Sequence, residues 1–256
     1  MPYADNDGVR IYYEVEGDGP PLVLHTGFMG RLQNWRRDEV GVAQGLRGDY
    51  RLILLDPRGQ GASEKPHDAA GYKLETRARD VTAVLDAEGF ERAHFWGYSM
   101  GAMVALGLAL YAPARVRSLI LGGGSPYSLN PTRYREQAAL LRRLSMAEYV
   151  AQAEASGGPF SPEARAGFLD NDPLALAAHY EGACTYPDLA AVLPASGLPV
   201  LLYAGDADQN FAGAQRTAAE TPGSTFVALP GVDHAQGFIL GATLLPQVRA
   251  FLNQQG

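Results

Sequence analysis

Cysteine, lysine and long apolar runs are all scarce in this chain of 256 residues. The single cysteine, Cys184, excludes an intrachain disulfide and a cysteine-rich zinc site. No stretch approaches the roughly 20 apolar residues of a transmembrane helix. Residues 1–17 also lack the basic start and apolar run of a secretory signal. We therefore expect a cytoplasmic protein that does not contact a membrane.

Basic residues are outnumbered by acidic ones. The 21 Lys and Arg against 28 Asp and Glu give a net charge of −7, and only Lys65 and Lys73 are lysines. Binding to a phosphate backbone needs clustered basic residues, so we expect no nucleic-acid partner. The 46% hydrophobic and 19% charged content is typical of a globular protein, and the length predicts one domain over residues 1–256.

Short apolar runs recur along the chain without alternation, which is typical of strands buried on both faces of a parallel sheet. An alternating segment, 9–15, follows the turn dipeptide Asp7-Gly8 and predicts an antiparallel N-terminal hairpin. Helical patterns such as 74–85 lie between several of the runs. The sequence therefore predicts an α/β fold with a doubly wound, mostly parallel sheet. The apolar runs are 22–25, 52–55, 93–96, 119–121, 200–203 and 225–229.

One long segment, residues 126–196, breaks the alternation of strands and helices. It carries helical patterns only, and a segment of this length without a strand is an insertion rather than a loop. The tail is predicted to be a single closing helix. The helices expected in and after the insertion are 134–144, 146–155, 162–169, 173–183 and 236–253.

The pentapeptide Gly97-Tyr98-Ser99-Met100-Gly101 has the pattern G-x-S-x-G. An apolar strand precedes it and a buried helix follows it, as required for a sharp strand-to-helix turn that exposes a serine hydroxyl. Glycines two positions before and after the serine let the backbone make this turn. The pattern predicts Ser99 as a nucleophile.

A serine nucleophile needs a general base and a group that orients the base. Of the five histidines, only His234 follows the last predicted strand, in a loop leading to the carboxyl edge of the sheet. Asp206 and Asp208 both follow the strand at 200–203. Asp208 is favoured as the orienting acid because it lies further along the loop, whereas Asp206 is suited to shaping the turn. The order Ser99, Asp208, His234 is the one expected on this architecture.

These motifs resemble those of the α/β-hydrolase fold family, over essentially the whole chain. The segment His25-Thr26-Gly27-Phe28 is similar to the family's HG-x loop, with Thr26 inserted between His and Gly. The resemblance implies an oxyanion hole formed by the backbone N–H groups of Phe28 and of Met100. Gly27 or Met29 is the alternative to Phe28. The resemblance also implies that 126–196 is a helical lid inserted after the sixth strand.

A second loop resembles the family's D-x-R-G-x-G-x-S motif. It spans residues 56–63, and the resemblance implies an architectural role in which Asp56 pairs with Arg58. The serine at the strand-to-helix turn distinguishes the chain from the dehalogenases and epoxide hydrolases of this fold, which use an aspartate at this position.

The resemblance implies a serine hydrolase that cleaves small to medium hydrophobic carboxylic esters or lactones through an acyl-enzyme, without metal or organic cofactor. The alternatives are perhydrolysis of the haloperoxidase type, hydrolysis of a C–C bond, and a ligand-binding receptor with little turnover. We expect a small-molecule substrate in an aromatic, largely apolar pocket. The residues predicted to bind it are Phe28, Trp35, Tyr98, Tyr127 and Phe211.

Overall fold

The computed structural model describes residues 2–255 and contains one sheet of eight strands. The strand order is β1-β2-β4-β3-β5-β6-β7-β8. Strand β2 is antiparallel to both of its neighbours, and every other pair is parallel, which confirms the predicted fold class and the N-terminal hairpin. The strands are β1 Tyr3–Asn6, β2 Val9–Glu16, β3 Pro21–His25, β4 Arg51–Leu55, β5 Ala93–Tyr98, β6 Val116–Gly122, β7 Val200–Gly205 and β8 Thr225–Leu229.

The sheet is covered by helices on both faces. Successive side chains of a strand point to opposite faces, so Val23 enters one apolar cluster while Leu22 and Leu24 enter the other. The first cluster is closed by α2 (Leu74–Ala87) and α3 (Met100–Tyr111), and the second by α1 (Val42–Leu46) and α11 (Leu245–Asn253). Burial of both faces explains why the strands read as continuous apolar runs.

The remaining helices lie in the second half of the chain. They are α4 Pro131–Leu141, α5 Met146–Gly157, α6 Pro162–Leu169, α7 Pro173–Ala183, α8 Val192–Ser196, α9 Phe211–Glu220 and α10 His234–Ile239. The prediction of one closing helix over 236–253 is wrong, because a 3₁₀ turn over Leu240–Leu244 separates α10 from α11. Pro246 lies in the first turn of α11, where its missing N–H is tolerated, and is excluded from the interior of a longer helix.

Helices α4 to α8 form the insertion after β6, as predicted. The insertion has a small apolar cluster of its own, against which Phe28 and Met29 of the loop after β3 pack. Helix α7 lies against the 3₁₀ turn Ala69–Tyr72 at very short range. A Cβ on Gly182 would be only 2.7 Å from Cβ of Tyr72. This close approach fixes the insertion over the carboxyl edge of the sheet.

No helix within residues 2–255 is both long enough and apolar enough to cross a membrane.

Candidate active site

Ser99 lies at the junction of β5 and α3 in a conformation that side chains rarely adopt, with φ 54° and ψ −108°. Such a backbone costs about 1–3 kcal/mol and persists only where neighbours hold it. The N–H of Ser99 donates to the carbonyl oxygen of Gly122 at 2.7 Å. A Cβ on Gly97 would lie 2.2 Å from the carbonyl oxygen of Gly101, and one on Gly101 would lie 2.4 Å from that of His25. Both glycines of the pentapeptide are therefore required by the packing of the turn.

The structure brings Ser99, His234 and Asp208 into one hydrogen-bonded chain. His234 Nε2 is 2.9 Å from Ser99 Oγ, and His234 Nδ1 is 2.7 Å from Asp208 Oδ2. With the Nδ1 proton donated to the carboxylate, Nε2 of the neutral imidazole is free to accept the serine proton. The Asp208 side chain is fully buried, whereas the His234 side chain is 35% exposed. The arrangement suits general-base activation of a serine.

Asp208 alone, of three aspartates near the imidazole, contacts it. Asp206 is exposed and accepts the backbone N–H of Gly231 at 2.7 Å, which ties the loop after β7 to the loop after β8. Asp233 caps α10 by accepting the N–H of Gln236 at 2.8 Å. The turn-shaping position expected for Asp206 is the one observed.

The loop after β3 passes directly over the nucleophile. A Cβ on Gly27 would lie 3.3 Å from Cβ and 3.8 Å from Oγ of Ser99. Met100 is the first residue of α3, so its N–H has no intrahelical acceptor. Phe28 and Met100 both line the cavity beside Ser99, and their role in an oxyanion hole stays a prediction.

A cavity of about 340 Å³ opens at Ser99 and His234. Its wall comes from the loops after β3, β6 and β7, from α2 and α3, and from α4 and α7 of the insertion. Among the described residues the wall contains two arginines, Arg77 and Arg133, and no Asp or Glu. The expectation of a largely apolar pocket is therefore corrected: aromatic rings are present, but cationic and amide side chains lie between them.

Of the five aromatic residues predicted to bind substrate, Phe28 and Tyr127 line the cavity, and the other three do not. Trp35 is 1% exposed and packs in the core against Trp96 and Phe238. The ring of Phe211 packs against that of Phe226.

Tyr98 packs against His234 and does not line the cavity. Its ring is 5.4 Å from that of His234, and its hydroxyl donates to the His234 carbonyl oxygen. Burial raises the pKa of Tyr98 far above its usual value, so the hydroxyl stays a donor. Tyr98 therefore positions the backbone that carries the imidazole.

Arg77 is the wall residue that the sequence reading missed. It is 2% exposed, Nη1 donates to the hydroxyl of Tyr186 at 3.1 Å, and Nη2 has no partner. Burial, and then the charge of Arg77, lower the pKa of His25 to about 3, and the same two causes lower that of His179 well below its usual value. A signal was present: Arg77 follows Leu74 by three residues and precedes Val81 by four, on the apolar face of α2.

The loop over residues 56–63 is architectural, but its pairing differs from the expected one. Asp56 accepts the N–H groups of Leu32 and Ala62, each at 2.7 Å. Arg58 pairs instead with the buried Asp80, with Nη2 2.6 Å from Oδ1. The predicted pair of Asp56 with Arg58 is therefore wrong. Asp56 serves two backbone donors, and α2 supplies the carboxylate for Arg58.

Within residues 2–255 no group of three or more His, Cys, Asp or Glu side chains is arranged to hold a metal ion.

A comparison of the sequence with known protein families agrees with the fold and with the strand-to-helix turn at Ser99. Residues 20–152 match the family described as alpha/beta hydrolase fold, and the chain belongs to that family. Its Ser99–His234–Asp208 geometry is consistent with a catalytic triad.

Individual relatives give finer comparisons. The chain is 38% identical over 124 residues to the putative carbamate hydrolase RutD of Azorhizobium caulinodans, covering 48% of this chain and 44% of that protein, so less than half of that relative is matched. A protein of the same name from Pseudomonas syringae pv. syringae is 28% identical over 255 residues, covering 93% and 95%. The crystal structure of a hydrolase from Pseudomonas aeruginosa PA01 superposes with a TM-score of 0.86 at 27% identity, covering 98% and 97%.

Proposed function

We propose that this protein is a serine hydrolase that cleaves small carboxylic esters or lactones through an acyl-enzyme on Ser99. The observation that carries the proposal is the continuous hydrogen-bonded chain from Asp208 through His234 to Ser99, which ends at the wall of the cavity. A volume of about 340 Å³ lies at the small end of ligand pockets, which favours a small acyl group.

In the first half of the reaction Ser99 Oγ attacks the carbonyl carbon while His234 Nε2 takes the hydroxyl proton. Asp208 holds the imidazole in its reactive tautomer and stabilises the imidazolium that forms. The N–H groups of Phe28 and Met100 would receive the developing negative charge, a contribution of about 3–4 kcal/mol for each donor. His234 then returns the proton to the leaving oxygen as the C–O bond breaks. In a lactone that oxygen remains tethered to the acyl group.

In the second half a water molecule replaces the leaving alcohol. His234 takes a proton from this water as it attacks the acyl carbon, and the bond to Ser99 Oγ breaks with return of the proton to the serine. The imidazole is partly exposed and lines the cavity, so water in the cavity can approach Nε2.

A second candidate is hydrolysis of a carbamate, favoured by the similarity to two proteins named as putative carbamate hydrolases. The same attack on a carbonyl serves both substrates, and they differ in the nitrogen next to that carbonyl. A matched panel of esters, lactones and carbamates of equal size ranks the candidates by kcat/KM. Peroxide with a carboxylic acid, and a small diketone, extend the panel to perhydrolysis and C–C cleavage.

The decisive experiment is labelling with a fluorophosphonate probe, which reacts with activated serines. We expect wild-type protein to be labelled and Ser99→Ala to remain unlabelled. The labelling rate of His234→Ala should be lower than that of wild type by about 10⁴-fold or more. Ser128→Ala is a matched control, because Ser128 lines the same cavity without contacting a histidine. Labelling of Ser99→Ala would contradict the proposal, because another residue would then be the nucleophile. No labelling of folded wild type would also contradict it and would favour a ligand-binding role.

A further inference from the structure

The guanidinium of Arg77 is a buried cation whose charge is not balanced by a carboxylate. Its side chain lies on α2 inside the protein, with one donor to the Tyr186 hydroxyl and Nη2 unpartnered. Among the described residues no carboxylate forms an ion pair with it, whereas the neighbouring Arg79 pairs with Asp7 at 3.3 Å and Arg58 with Asp80. A buried charge without a partner is strongly destabilising, so its retention needs a reason.

The position of Arg77 supplies that reason, because its side chain lines the same cavity as Ser99. No acidic residue is present in the described wall, although the chain as a whole carries a net charge of −7. Two buried imidazoles, His25 and His179, lie in the field of Arg77 and add no charge, because burial holds the pKa of each far below neutrality. The interior end of the cavity is therefore cationic and lacks an anion.

The second arginine of the wall differs in kind. Arg133 is exposed, and Nη1 already donates to Oε1 of Gln209 at 3.1 Å. Water screens such a charge, so it contributes little to selecting a ligand. Arg77, shielded from solvent and with a free planar donor, matches the geometry of a carboxylate.

We propose that the substrate of Ser99 bears a carboxylate that binds Nη2 of Arg77 while its ester or lactone carbonyl faces the serine hydroxyl. This inference rests on the proposed function and names its substrate class: a small monoester of a dicarboxylic acid, or a small lactone that carries a free carboxylate. The carboxylate is not altered in the reaction. It orients the acyl group, and the bonds that form and break are those of acyl transfer.

The test compares two substrates that differ in this one group. They are the 4-nitrophenyl monoester of glutaric acid and the corresponding ester of glutaric acid monoamide, which has the same shape without the charge. We expect wild type to prefer the anionic ester by about 10- to 100-fold in kcat/KM, the size of effect that a hydrogen bond to a charged group produces. Equal rates, or preference for the amide, would overturn the inference while leaving hydrolysis by Ser99 intact.

Two variants locate the preference. Arg77→Met should reduce the ratio of the two kcat/KM values to about one, and Arg77→Lys should restore part of it. Arg79→Met is the matched control, because it removes the same charge from the exposed side of the same helix, and it should keep the wild-type ratio. Loss of the preference in Arg133→Met with its retention in Arg77→Met would overturn the assignment.

Direct binding separates this inference from the proposed function. Calorimetry with glutarate and with glutaramide uses Ser99→Ala, which keeps Arg77 and cannot turn over substrate. Glutarate should bind and glutaramide should bind at least about tenfold more weakly, whether or not either ester is hydrolysed. Equal affinity of the two would reject the carboxylate site. This measurement also decides the matter if Arg77→Met does not fold.

Discussion

At the scale of single residues, hydrogen bonds from backbone N–H groups determine which of two carboxylates, Asp206 or Asp208, contacts the imidazole of His234. Asp208 has no exposed side-chain surface, and its Oδ1 accepts the N–H of Asn210 at 2.8 Å, which turns Oδ2 towards His234. Asp206, two residues earlier, points to solvent and to the N–H of Gly231. The loop geometry therefore separates two carboxylates that are equivalent in the sequence pattern.

Exchange of each aspartate for asparagine tests this separation. In Asp208→Asn the amide favours the wrong imidazole tautomer, so we expect kcat to fall by about 10³–10⁴-fold with little change in the fold. In Asp206→Asn the amide oxygen still accepts from Gly231, and kcat should change by less than about fivefold. The measurement is steady-state kinetics on one activated ester. A larger loss in Asp206→Asn would reassign the acid.

The same scale shows what sequence reading can and cannot predict about the site. Ser99, Asp208 and His234 were predicted to meet because each follows a strand at the same edge of the sheet. Trp35 was misplaced because an apolar ring after a strand fits both a pocket and the core, and only three-dimensional packing distinguishes them. Arg77 was overlooked because the helical pattern was read from apolar positions alone.

At the scale of secondary-structure elements, the predicted bounds were correct where the sequence pattern was long or included a specific capping residue. Helices α6 and α7 begin with Ser161 and Asp172 as N-caps followed by proline, and their bounds match the prediction. Helix α4 begins earlier than predicted, because Asn130 caps it and accepts the N–H of Arg133. Helices α1 and α8 have five residues each and are too short to give a periodic pattern.

The contact between α7 and the turn Ala69–Tyr72 should be sensitive to one methyl group. In Gly182→Ala the new Cβ would meet Cβ of Tyr72 at 2.7 Å and the carbonyl oxygen of Ala69 at 2.8 Å. We expect a loss of about 1–3 kcal/mol in the free energy of unfolding, because overpacked contacts displace backbone. Helix α7 also lines the cavity, so kcat/KM should fall in parallel.

Gly167→Ala is the control for this prediction. Gly167 is also in a helix of the insertion, but its nearest neighbour to a new Cβ is Nη2 of Arg31 at 3.8 Å, an ordinary contact. The higher helix propensity of alanine should leave this variant as stable as wild type, or more stable by up to about 1 kcal/mol. Chemical denaturation and limited proteolysis of the insertion measure both variants. Equal stability of the two would show that α7 does not depend on this close approach.

At the scale of the whole molecule, buried histidines set the response of stability to acid. Burial lowers the pKa of His25 to about 3 and that of His94 to about 4, and it lowers the pKa of His179 well below its usual value of 6.5. Well above pH 6.5 these groups are neutral in both folded and unfolded chains. Below pH 6.5 these histidines bind protons in the unfolded chain but not in the folded protein, so acidification favours unfolding.

We therefore expect the free energy of unfolding to decrease between pH 6.5 and pH 5, by at most about 1.4 kcal/mol per pH unit for each buried histidine. Urea denaturation at several pH values measures the slope. His94→Asn should flatten it, because it removes one of the three buried histidines whose pKa is lowered in the folded protein. Stability that is constant or increases on acidification in this range would contradict the prediction.

The fold could be predicted from the sequence more completely than the cavity. Apolar runs, the N-terminal hairpin and the elbow each report on local packing, and together they specify the sheet. The cavity wall combines α2, α3, three strand-end loops and two helices of the insertion, which are far apart in the chain. Its cationic character arises only when these segments meet, so no local pattern contains it.

The bond between Ser99 and His234 joins residues 135 positions apart, across the whole insertion. Closing so large a loop costs chain entropy that only a docked β8 and a folded sheet repay. No fragment of the fold can therefore assemble an activated serine by itself. If Ser99 is the proposed nucleophile, we expect probe labelling to recover during refolding only when the native topology is complete. The reactivity of one hydroxyl would then measure the folding of the entire chain.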